Sequence, residues 1–226
     1  EKERAKLKDE ILEDKFQNLL PKLMDRAEID LWLIVSREYN EDPVMKTMLP
    51  ATWLNARRRT MIVFYRDREK DTLERLAMAR YNIGESIKSA WEKEKQSNQW
   101  KALVDIIAAR DPKKIGINTS THFALADGLV KTDYKELYQN LPDNLKTRLV
   151  PAEKLAIAWM ETRTAKEMKL YDELVKITHN IIDEAFSSKV ITSGVTTTED
   201  VKWWMRQKTT DLGLENWFHP TIDVQR

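Results

Sequence analysis

Ile29-Asp30-Leu31-Trp32-Leu33-Ile34-Val35 is the run whose reading decides the fold. Apart from Asp30 it is unbroken apolar sequence, and a strand of that kind has to be covered on both faces. The chain on either side supplies the cover. Residues 2 to 27 place Leu7, Ile11, Leu12, Phe16, Leu19, Leu20, Leu23 and Met24 at helical spacing among many charges, with Pro21 interrupting the helix. Thr60-Met61-Ile62-Val63-Phe64-Tyr65 is a second buried strand. Residues 73 to 81 suit a strand by alternation and a helix by propensity, and the residues alone leave both open.

Further along, Trp100 to Arg110 is an amphipathic helix closed by Asp111-Pro112, followed by a short strand at Lys114-Ile115-Gly116-Ile117-Asn118. Phe123 to Val130 and Tyr134 to Leu141 read as helical pieces, Thr147 to Val150 as a last short strand, and Ala152 to Met160 as a linking helix. Glu38 to Pro50 reads as a long irregular loop. The sum is a mixed α/β layer domain of about 155 residues.

Two helices with their own start signals come next. Thr164 with Glu167, and Thr196 with Glu199, have capping-box spacing, in which hydroxyl and carboxylate satisfy unpaired backbone N–H groups. The first helix, 164 to 188, carries an apolar stripe of Met168, Tyr171, Leu174, Val175, Thr178, Ile182, Ala185 and Phe186. The second carries Val201, Trp204, Met205 and Leu212 and stops at Gly213, where a left-handed residue belongs. Ser193-Gly194-Val195 predicts a short connection and an antiparallel pair.

In order and spacing, Thr162-Arg163-Thr164-Ala165-Lys166-Glu167-Met168 and Gly194-Val195-Thr196-Thr197-Thr198-Glu199 resemble the opening of the "pita-bread" domain of M24 metallopeptidases. That family includes Xaa-Pro aminopeptidases, prolidases and creatinase. Thr198 departs from the family pattern by standing between the first capping threonines and Glu199. Glu28 to Asn40, behind its helix, resembles the strand entrance of the family's amino-terminal creatinase/prolidase domain. The resemblance implies such a domain over 1–158, with residues 73 to 81 as strand, and over 159–226 the first helices of an α+β pita-bread domain. It implies a hydrolase cleaving the bond before proline when complete, two divalent ions (manganese, cobalt or zinc), a peptide substrate and a homodimer. The five ligands of such a site, two Asp, one His and two Glu, fall beyond the segment matching Trp217 to Arg226. No metal ligand is therefore carried over to this chain, Asp223 included, and the fragment alone is expected to be inactive. A non-catalytic peptide- or protein-binding module of the same fold is the alternative.

Composition narrows the classes. Of 226 residues 42% are hydrophobic, and 38 Lys plus Arg against 37 Asp plus Glu leave a net charge of +1, so no global field recruits nucleic acid. No apolar run approaches the ~20 residues that span a bilayer, so membrane insertion is not expected. Cysteine is absent, which excludes disulfides and thiolate chemistry without fixing the compartment. The chain opens on Glu1, which leaves a cytoplasmic protein and an exported one with a removed signal both open. Five glycines and no Gly-rich turn exclude a Rossmann phosphate loop.

Among site candidates, His122 and His179 read as a capping residue and a helix-surface residue, and neither has metal-ligand spacing. His219, before Pro220, is the catalytic candidate, because the resembled family uses a histidine outside its metal shell to hold substrate. There the histidine is expected several residues further on. Arg57-Arg58-Arg59 with Glu38 is the densest charged cluster beside buried strands. It reads either as a carboxylate clamp at a substrate-access or subunit interface, or as a solvated strand start held by salt bridges. Trp203-Trp204 point about 100° apart on their helix and read as core packing or an interface.

Overall fold

The structure, a computed structural model, describes residues 1–224. The chain divides into two compact units, Glu1–Thr164 and Ala165–Arg226.

The first unit is a six-stranded mixed sheet flanked by helices, in the order β4-β3-β2-β1-β5-β6. Its strands are β1 (Leu31–Arg37), β2 (Arg59–Asp67), β3 (Thr72–Ala77), β4 (Lys88–Ser89), β5 (Ile115–Ile117) and β6 (Leu149–Pro151). β1 pairs antiparallel with β2, setting Trp32 opposite Phe64 and Leu33 opposite Val63, and parallel with β5. Residues 72–77 are thus strand, as the resemblance implies.

Alternation along β1 and β2 divides their side chains between two cores. Trp32, Ile34, Ile62 and Phe64 face one side, where Phe16, Leu20, Leu23 and Met24 and the short helix α3 (Pro43–Lys46) cover them. The same core takes Leu155, Ala156, Ala158 and Trp159 of α7 (Glu153–Glu161). Phe16 stacks on Trp159 at 5.4 Å and meets Phe64 at 5.5 Å. Leu31, Leu33, Val35, Met61 and Val63 face the other side, under Trp100, Leu103 and Ile107 of α4 (Gln99–Arg110) and Leu137 of α5 (Lys131–Asn140). Because α7 belongs to this packing, the first unit continues past residue 158 to the end of that helix.

The first helix is continuous but not uniform. α1 (Lys2–Asp14) passes through a π-helical turn, Lys15–Leu19, into α2 (Leu20–Ala27), with Pro21 in the first turn of α2. Proline cannot donate to the carbonyl four residues back and its ring crowds that carbonyl, and the widened turn accommodates both. No residue of α1 is fully buried, though Leu12 packs against the core, so the inward apolar face predicted for the whole helix is partly buried at Leu12 and fully buried from Phe16 onward. α1 is also tied down by Glu13, which accepts from Arg75 Nη1 at 2.8 and 2.9 Å and from Ser86 Oγ. Asp30, the exception in the apolar run, accepts from the N–H groups of Lys113 and Lys114 at 2.9 Å each, tying the starts of β1 and β5 together.

The stretch 123–130 is not helical beyond a 3-10 turn at Ala124–Ala126. Leu129 N donates to Asn118 O at 3.0 Å, and a Cβ on Gly128 would stand 2.1 Å from Asp42 Oδ2. The segment is drawn against the end of β5, which a helix could not approach so closely. Helix α6 (Asp143–Lys146) completes the unit.

The second unit holds α8 (Ala165–Ala185) and α9 (Thr198–Asp211). α8 begins directly after Thr164, where the start signal places it. α9 is capped one residue later than predicted: Thr197 and Asp200 form the capping box. Three consecutive threonines and two acids offer two overlapping boxes, and Thr196 Oγ1 is engaged by Thr192 N at 2.8 Å. Gly213 has φ 67, the left-handed stop expected. The connection spans 186 to 197, longer than Ser193-Gly194-Val195, and Lys208 Nζ reaches Glu184 at 2.8 Å. The last turn of α8 therefore lies beside the last turn of α9, which a tight antiparallel hairpin would not give.

Candidate functional site

The charged cluster lies where β1 leaves the sheet and β2 enters it. Beyond β1 the chain extends the ladder irregularly: Glu38 N donates to Arg58 O at 2.6 Å, and Arg58 N donates to Glu38 Oε2 at 3.0 Å. Tyr39 (φ 69) and Arg58 (φ 51) both take left-handed conformations that bulky residues rarely adopt.

The three arginines do not form one clamp. Arg59 turns inward, its Nη1 2.9 Å from Glu136 Oε2 and its guanidinium 5.1 Å from the Trp100 ring. Its Nε faces the buried Asp133 Oδ1 at 3.6 Å, an ion pair too long for a hydrogen bond, while Arg37 Nε donates to Asp133 Oδ2 at 3.0 Å. Burial pushes the Asp133 carboxyl above its ordinary value, and the charges of Arg37 and Arg59 offset only part of that. Arg59 is thus held by two carboxylates of α5. Arg57 is exposed and sits over Trp53 at 4.7 Å and near Tyr81 at 5.7 Å, and its carbonyl accepts from Tyr81 Oη and Thr60 Oγ1, each at 3.0 Å. Arg58 is exposed too.

Sequence reasoning missed the most connected polar group of this region, Asp42. Its Oδ1 caps α3, accepting from Val44 N at 2.8 Å and Met45 N at 3.1 Å. Its Oδ2 accepts from Asn118 Nδ2 at 2.9 Å, and Asn118 Oδ1 accepts from Trp32 Nε1 at 2.8 Å. Asp42 N donates to Ser36 Oγ at 2.7 Å. Burial raises the Asp42 carboxyl, and these hydrogen bonds do not cancel the effect. The signal was available, since Asp before Pro43 and two apolar residues is an N-cap followed by proline at the first helical position. It shows that 38–50 is an anchored turn-helix rather than an irregular arm.

A cleft of about 770 Å³ opens beside α1, walled by Asp9, Glu13, Arg75 and Ser86. Asp9 accepts from Ala51 N and Glu13 is held by Arg75 and Ser86, so its charged wall is occupied with fold-holding bonds.

The three histidines are all exposed. His122 is exposed and its N–H donates to Ser120 Oγ. His179 is exposed on α8. His219 is exposed in the stretch after α9, in the second unit, whereas Glu38 and the arginines belong to the first. Among the described residues no group of three His, Asp or Glu side chains converges as metal ligands. No helix among them is long and apolar enough to cross a membrane. Trp203 is 59% exposed with Arg206 4.6 Å from its ring, so core packing does not account for it.

No family model matches the chain, and no curated protein matches it. Among solved structures it is similar, distantly, to an Xaa-Pro dipeptidase from Bacillus anthracis, at 16% identity and a TM-score of 0.49. The likeness covers 90% of this chain and 49% of that one, so the chain spans about half the length of the protein it matches.

Proposed function

We propose that the chain is the amino-terminal part of an M24-type metallopeptidase that hydrolyses the bond before proline when complete, as a homodimer with two divalent ions. The family itself is read from motifs: Glu28 to Asn40, Thr162 to Met168 and Gly194 to Glu199, in family order. The structural observation that supports the reading is the uncovered stripe of α8. Met168, Tyr171, Leu174, Val175 and Ile182 of this 21-residue helix, and Phe186 just past its end, are between 39% and 57% exposed, and the helix buries only Ile181 and Ala185. A stripe of that width belongs to a layered domain, where a sheet or further helices cover it. In this reading the first unit shapes access to the catalytic centre, and the ligands belong to sequence continuing beyond Arg226. Glu38 and the arginine cluster would border that access, and His219 would lie on the approach to the centre.

The test is to take the reading frame past Arg226, purify that protein, and measure bound metal and cleavage of an Xaa-Pro dipeptide with manganese, cobalt or zinc. Ordered Asp, Asp, His, Glu and Glu ligands, bound metal and turnover are the expected result. A continuation without those ligands, no metal and no turnover would sink the peptidase reading and leave a non-catalytic binding module of the same fold.

A further inference from the structure

The surface at the start of β2 carries a second, independent reading that needs no metal centre. We propose that Arg57 and Arg58, set among Trp53, Tyr81 and Tyr39, form a docking surface for an acidic peptide segment bearing apolar side chains.

Charge accounting is the first support. Among the described residues no carboxylate lies within ion-pair distance of Arg57 or Arg58, although Glu38 and Glu41 are close in sequence. Both acids are spent on backbone: Glu38 accepts from Arg58 N at 3.0 Å, and Glu41 accepts from Tyr39 N at 3.0 Å. Asp42 is buried in its own network. The guanidiniums are therefore the unneutralised groups of this surface.

Preorganisation is the second. Ala56 is 1% exposed and anchors the segment in the core, while the Arg57 carbonyl is pinned by Tyr81 and Thr60. The Arg57 guanidinium lies over Trp53, so its flat face is used by the ring and its in-plane N–H groups stay available, the edge that meets a carboxylate bidentately. A group held this way loses little freedom on binding. The left-handed conformations of Tyr39 and Arg58 are the kind of held strain that collects at binding surfaces. Leu54 at 89% and Tyr39 at 83% exposure supply apolar contact beside the charges, and Trp, Tyr and Arg are the residues that dominate protein interfaces. A nucleic-acid strand fits less well: two guanidiniums beside two glutamates do not make the continuous basic track that follows a phosphate backbone.

The experiment uses the chain as it stands and a fluorescein-labelled peptide, Glu-Leu-Glu-Phe-Glu, read by anisotropy against its Gln-Leu-Gln-Phe-Gln counterpart and a short thymidine oligonucleotide. The acidic peptide is expected to bind, and the glutamine peptide about tenfold more weakly. The variant R57A/R58A, with an unchanged melting temperature, is expected to lose a comparable factor, and Arg57→Lys part of it. Absent binding of the acidic peptide, equal binding of the two peptides, equal binding by the folded double variant, or tighter binding of the oligonucleotide would each overturn the proposal. If the double variant does not fold, the two peptides on the unaltered chain still decide. The peptidase reading stands or falls separately, on metal and turnover.

Discussion

α8 and β1 carry similarly regular apolar patterns, and they meet different fates. Every residue of β1 from Leu31 to Ser36 is buried, whereas α8 buries two residues of 21. A pattern specifies the element and the face it offers; burial depends on whether another layer meets that face. In the first unit two helical layers close over one sheet. In the second, α8 and α9 bury only Ile181, Ala185, Val201 and Thr209.

The largest expected effect falls on the closed side of this contrast. Phe64→Ala removes a ring packed between Phe16 and Trp32 and should cost about 3–5 kcal/mol, while Val201→Ala in the second unit should cost about 1–2 kcal/mol. Urea unfolding with a probe in each unit checks this, and equal losses would break the comparison. Two units also mean that a single two-state midpoint is not assumed.

Asp42 gives the intermediate effect and a sign. Asp42→Ala strips the cap of α3 and leaves Asn118 Nδ2 without its acceptor, at a cost of about 2–3 kcal/mol in the first unit. Because the folded carboxyl is raised above its ordinary value, the folded state binds the proton more tightly than the unfolded one. Its contribution is therefore most favourable below the ordinary value and is lost as pH rises through the raised one. Asp42→Asn removes that dependence: the stability difference between wild type and variant should shift in the wild type's favour as pH falls. A difference that stays flat with pH would show that folding leaves the proton affinity of this carboxyl unchanged.

The smallest effect is the sharpest test of the open side. Leu174→Lys, at a position 43% exposed, should change the stability of this chain by no more than about 0.5 kcal/mol. In a protein continuing beyond Arg226 the same change should be markedly more costly if another layer covers α8. Equal, small effects in both would mean that the stripe stays uncovered.

The sequence made the layers legible because period and burial agree there. β1, β2, α4, β5 and α7 sit within a few residues of their expected places, since each has a core to obey. Residues 123–130 were misread because helical propensity is local, while their course is set by Asn118 and by the carboxylate packed on Gly128. The α9 cap slipped by one residue because its two candidate boxes are chemically equivalent. Adjacency left a clamp and a salt-bridged strand start both open for the arginines. Arg57 and Arg59 would share a face in a regular strand, but the left-handed Arg58 (φ 51) just before β2 breaks the alternation, so Arg59 turns to Asp133 and Glu136 while Arg57 stays outside. Side-chain direction, not sequence proximity, decides such clusters.

The π turn at Lys15–Leu19 has a consequence for how this chain tolerates changes in length. A π turn holds one residue more than an α turn, and each helical residue rotates the chain by about 100°. Losing one residue between 15 and 19 would turn the π turn into an α turn and leave Lys2–Asp14 facing as before, whereas losing one from the regular helix on either side would swing Glu13 by that angle away from Arg75 and Ser86. The π turn thus acts as slack in the winding, taking up one residue while Glu13 still faces its partners and Phe16 still faces the core.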